Sequence, residues 1–139
     1  MSRALVGLGL TLALAEAARV ALAAELAPLG QIRGWEPVGS RLETFAAGEA
    51  LVRADLVRLR TWASRWAALA PEARDFYATE VEQHGSSGTL PGCVEPALWA
   101  VLRGPGHAPL TGLQLGLLRA RYASRYGREP AIELVPVIP

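Results

Sequence analysis

Glu80 and His84 stand four residues apart, a spacing that puts two side chains on one helix face. A carboxylate and an imidazole so placed could share a divalent metal. Two ligands do not close a site, and no H-E-x-x-H or comparable motif accompanies them. A surface histidine near a helix C-terminus explains the same pair. Cys93 and His107 are the second candidate, because a thiol beside an imidazole makes a nucleophile–base pair. Both fall in Gly- and Pro-rich stretches, where reactive residues often sit, but no flanking signature supports them. Cys93 is the only cysteine, so an intrachain disulfide and a multi-cysteine zinc site are excluded. No Gly-rich phosphate loop follows a strand, and no G-x-S-x-G is present. The expectation is a non-enzymatic protein with no catalytic residue, no metal site and no cofactor.

The densest functional candidate is cationic. Arg119, Arg121, Arg125 and Arg128 are interleaved with Tyr122 and Tyr126. Arg121 and Arg125 share a helix face, so the group could grip phosphates while tyrosine stacks on bases. It could equally bind anionic lipid, or pair with Glu80 and Glu82 of the same chain. The favoured reading is internal pairing, since residues 72–95 carry five acids against Arg74 alone, whereas residues 96–128 carry five arginines and no acid.

Composition narrows the class. The net charge is +1, so no global field draws in nucleic acid. All 14 basic residues are arginine, a skew that GC-rich codon usage explains without invoking a binding site. Hydrophobic residues make up 51% of the chain and charged residues 19%. That balance supports a packed core of single-domain size and is oily for a protein standing alone in water.

The elements that must position these residues read as helices. Residues 3–28 are Ala- and Leu-rich and predict an apolar N-terminal helix, with Val6, Leu10, Ala13, Ala17, Val20 and Ala24 facing protein. The same stretch admits two other readings. One is a signal peptide with Ala13-Leu14-Ala15 as its cleavage site. The other is a membrane anchor over residues 4–29, in which Glu16 and Arg19 would each cost roughly 2.5–3.5 kcal/mol at mid-bilayer. Residues 30–39 predict a loop, with Trp35 packing back onto the helices.

Ser40-x-x-Glu43 has the form of a capping box and predicts a long helix over 40–70, ended by Pro71. Its apolar positions Leu42, Phe45, Val52, Leu56, Leu59 and Trp66, widened by Trp62, resemble a heptad seam. This seam implies a partner: the N-terminal helix folded back as a hairpin, or a second copy of the chain. Shorter helices are predicted over 71–84, 96–103 and 111–126, the last opened by a Thr111-x-x-Gln114 capping box and ended at Gly127. Leu113, Leu117, Ala120 and Ala123 lie along one side of it. Residues 128–139 predict an extended tail, because Pro136 and Pro139 disfavour helix.

The chain therefore predicts an all-α bundle of four to five helices, led by a long helical hairpin. The leading functional expectation is a structural or assembly protein that packs against copies of itself or within a larger complex, in the cytoplasm or in such an assembly. Membrane association or export through residues 4–29 is the alternative. A small nucleic-acid-binding regulator using the Arg/Tyr face is the less favoured third.

Overall fold

A computed structural model describes residues 11–12, 16–85, 90–104 and 109–136. Among these the fold is all-α: α1 (Glu16–Leu26), a 3₁₀ turn (Ala27–Gln31), α2 (Glu36–Ala46), α3 (Arg53–Ala68), α4 (Pro71–His84), α5 (Val94–Arg103) and α6 (Gly112–Tyr126). A two-residue antiparallel ladder joins β1 (Thr11–Leu12) to β2 (Leu51–Val52), pairing Thr11 with Val52 and Leu12 with Leu51.

The helix expected over 40–70 is two helices. Gly48 decides this. At φ +81° it adopts the left-handed conformation that ends a helix, and the backbone bonds around it form a Schellman motif. The Gly48 N–H donates to Phe45 O at 3.0 Å, and the Glu49 N–H donates to Thr44 O at 3.2 Å. Arg19 of α1 adds a bond to Ala46 O at 3.4 Å, taking up a carbonyl of the last turn. α2 also starts earlier than Ser40, with Trp35 in the cap position and Pro37 in the first turn. Ser40 lies inside the helix, where its carbonyl accepts from Thr44 Oγ1.

The proposed heptad seam is thereby divided and largely consumed. Phe45 on α2 and Leu59, Trp62 and Trp66 on α3 are core residues, Leu42 and Leu56 pack against that core, and Val52 is exposed in β2. The hairpin expectation changes with it. α1 is short and packs on α3, where Arg60 reaches Glu25 at 2.9 Å. A continuous helix over 3–28 is not formed, because Thr11 and Leu12 pair as a strand and Pro28 falls in the 3₁₀ turn. Over its described part the face also differs from expectation, with Leu22 and Leu26 buried and Val20 exposed; Val6, Leu10 and Ala13 lie outside the described residues. No helix among the described residues is long and apolar enough to cross a membrane.

The later helices follow their local signals. α4 buries Ala73, Phe76, Tyr77, Glu80 and Val81, and α5 buries Val94, Ala97, Leu98, Val101 and Leu102. Both sets repeat at i, i+3, i+4, i+7 and i+8, one face of a helix. The α5 C-terminus is closed by Arg65 of α3, whose Nε donates to Val101 O at 2.5 Å and Nη2 to Ala100 O at 3.4 Å. α6 opens with the expected capping box: Thr111 Oγ1 accepts from Gln114 N at 3.1 Å, and Gln114 Oε1 accepts from Thr111 N at 2.9 Å.

Two aromatic groups centre the core. Trp99 sits 4.8 Å from Trp35 and 5.6 Å from Trp62, while Phe76 meets Tyr77 at 5.3 Å and Tyr122 at 5.5 Å. The segment after α6 is bent at 131–132 and 134–135 rather than uniformly extended. It lies on its own chain: Leu134 is buried, and its carbonyl accepts from Tyr77 Oη at 2.8 Å.

Candidate functional site

The chemistry-bearing residues gather in two places. The first is the seam between α4 and α6. Glu80 occupies the fourth position of α4's buried register, and its exposure is 0%. A carboxylate there is tolerable only with opposite charge and hydrogen bonds supplied by the protein. α6 supplies both from positions one turn apart. Arg121 Nε donates to Glu80 Oε1, while Arg125 bonds Oε2 through Nη2 and through Nε at 3.0 Å. Arg125 Nη2 also donates to Gln83 Oε1 at 2.9 Å, and Arg121 Nη2 stands 3.1 Å from His84 Nε2. A second clasp lies further along the same seam, where Glu72 Oε1 accepts from Tyr122 Oη at 2.5 Å and from Arg128 Nη2.

This geometry places the sequence candidates. Arg121, Arg125 and Arg128 engage Glu80 and Glu72, Arg119 faces Glu129 at 3.9 Å, Tyr122 is core, and Tyr126 stacks on Tyr122 at 4.6 Å. The acid expected beside Glu80 as a partner was Glu82; the structure puts Glu72 in that role, with Glu82 exposed. The shallow cavity here, about 280 Å³, is lined by Glu80, Arg121, Ser124 and Arg125. One buried carboxylate meets two guanidinium groups, which also reach Gln83 and His84, so the cluster fastens α4 to α6.

Glu80 and His84 do share one face of α4, but Arg121 lies against both. Among the described residues, no group of three or more His, Cys, Asp or Glu side chains could hold a metal ion. Cys93 is half-buried at the position capping α5, and His107 lies outside the described residues. Burial pushes the Cys93 thiol up, and Glu80 adds to this; a backbone hydrogen bond and the Arg121 charge oppose it without prevailing. A thiol held up in this way is a weaker nucleophile at neutral pH. Tyr77 is raised well above the usual phenol range, chiefly by burial.

The second place is an open groove of about 780 Å³ between α2, α3 and α5. Glu36, Pro37, Ser40 and Arg41 come from α2, Val57, Arg58, Thr61 and Trp62 from α3, and Trp99 and Arg103 from α5. Sequence reading did not single out Arg41, Arg58, Trp99 and Arg103 as a group. They come from three helices, and the one local signal is the Asp55–Arg58 spacing of three.

The outer side of α6 is the remaining feature. Leu113 is 74% exposed and Leu117 is 51% exposed. At 100° per residue, Leu113, Leu117, Ala120 and Ser124 fall within about 60° of arc. This is the apolar side read from the sequence. The structure turns it outward, because Leu118, Tyr122 and the Glu80 clasp take the inner side. No family model matches the chain, and neither a curated protein nor a solved structure matches it.

Proposed function

We propose that the chain is a non-enzymatic assembly module that pairs with a second copy through the outer face of α6. The exposure of Leu113 and Leu117 on a helix whose rotation is fixed carries this reading. Arg121 and Arg125 cannot leave Glu80 without stranding a buried carboxylate, so α6 cannot roll its leucines inward. The face suits a two-fold antiparallel contact. Leu113 and Leu117 occupy one end, while Ala120 and Ser124 at the other end leave room for a partner's leucines. That arrangement also sets each copy's uncharged N-terminal half against the other's Arg-bearing half, so the arginines do not meet.

The test is light scattering across a concentration series for wild type and Leu113→Glu/Leu117→Glu. The expected outcome is a wild-type dimer that the double variant reduces to a folded monomer. A wild-type monomer throughout the series, or a dimer indifferent to both substitutions, would refute the proposal.

A further inference from the structure

We infer that the groove between α2, α3 and α5 binds a small anion that carries a flat ring, such as a mononucleotide or an aromatic carboxylate. Its charge is cationic in balance: Arg41, Arg58 and Arg103 line it with Glu36, and Asp55 pairs with two of the three arginines, a net +1. Its volume of about 780 Å³ falls within the range of small-molecule sites.

The cations are held in place. Asp55, whose side chain is 13% exposed, takes Arg41 Nε at 3.5 Å and Arg58 Nη1 at 2.7 Å. One carboxylate thereby tethers a guanidinium from α2 and another from α3. Each guanidinium carries five N–H donors, more than this shared acid can accept. The donors left over lie on side chains that are about half exposed at the rim of the groove. Paired forks of this kind match the oxygens of a phosphate or carboxylate.

The ring-binding part comes from α5. The Arg103 guanidinium carbon lies over the Trp99 ring, 4.0 Å from its centre, so the cation is held against a face of the indole. Trp99 is in turn fixed by Trp35 and Trp62. A planar cation supported in this way, beside a partly exposed indole, offers a surface on which a flat ring can stack. The site is separate from the outer face of α6 and does not depend on the pairing proposed there.

The experiment is titration of the full chain, followed by tryptophan fluorescence and by calorimetry. The probes are adenosine monophosphate, 4-hydroxybenzoate and inorganic phosphate alone. The variants are Arg41→Ala/Arg58→Ala and, as a charge-matched control outside the groove, Arg60→Ala/Arg119→Ala. Circular dichroism establishes that each variant is folded. One ring-bearing probe is expected to saturate at sub-millimolar concentration, to quench fluorescence, and to bind at least about tenfold more weakly to the double variant. The control is expected to bind like wild type. Preference for adenosine monophosphate identifies a nucleotide site, and preference for the benzoate an aromatic-acid site. Absence of saturation by either probe overturns the proposal, as does undiminished binding in the double variant. Phosphate binding as tightly as the ring-bearing probes overturns the role of the ring.

Discussion

Removal of the two arginines around Glu80 should be strongly non-additive, and its size follows from the burial on each side. Glu80 is 0% exposed and uses both carboxylate oxygens; Arg121 and Arg125 retain 34% and 19% side-chain exposure. Arg121→Ala deletes one charge-assisted bond and leaves Glu80 with Arg125, a loss of about 1.5 kcal/mol at the exposed end of the pair. Arg125→Ala deletes two bonds to Glu80 and one to Gln83, so about 2–3 kcal/mol is expected. With both gone, the carboxylate keeps its dry site and has no partner left, so beyond the bonds lost in the singles it carries a desolvation penalty of about 1–2 kcal/mol. The double variant should therefore exceed the sum of the singles by about 1–2 kcal/mol. Urea unfolding followed by tryptophan emission measures this, because Trp66 is fully buried and passes into water on unfolding. A triple variant, Glu80→Leu/Arg121→Met/Arg125→Leu, should recover to within about 1 kcal/mol of wild type, since apolar replacement removes the desolvation cost with the charges. If the double variant loses under about 1 kcal/mol, or equals the sum of the singles, then Glu80 is solvated and the fixed rotation of α6 fails with it.

Two further substitutions test other parts of the structure. Gly48→Ala would stabilise an uninterrupted 40–70 helix by about 1 kcal/mol. At φ +81°, with the Arg19 guanidinium against the added methyl, it should instead destabilise by about 1–2 kcal/mol, and a urea midpoint distinguishes the two signs. Tyr77 should contribute to the loss of stability at alkaline pH. An unfolded tyrosine ionises near about pH 10, and burial raises the folded value, so the contribution is complete below about pH 10 and is lost as pH rises through the folded value. Between about pH 9 and 11, wild type should lose about 1.4 kcal/mol more than Tyr77→Phe. Parallel loss in the two proteins would refute the assignment. At neutral pH the variant should lose about 1 kcal/mol, the hydrogen bond to Leu134 O.

Much of the fold is written in local residues. Pro71 opens α4, the Thr111 and Gln114 side chains open α6, and Gly127 ends α6 with φ +73°. Each signal satisfies backbone groups within a turn of itself, so no distant contact is needed to read it. The all-α class follows for the same reason, and so does the pairing of the α6 arginines with α4 acids in outline, since an acidic stretch precedes a basic one. Three matters required the tertiary structure. Gly48 could have continued a helix; beside its Schellman turn, Arg19, 29 residues earlier in the chain, takes up the Ala46 carbonyl. The burial of α6 depended on whether Leu113 and Leu117 or Leu118 and Tyr122 met the core, and the fit of Tyr122 to Phe76 with the Glu80 clasp decided it. The groove joins Arg41, Arg58 and Arg103, which stand far apart in sequence and face one another only because α2, α3 and α5 pack together. Helix formation is set by propensity and capping within a few residues, whereas the side of a helix that is buried is set by its neighbours, which periodicity does not name.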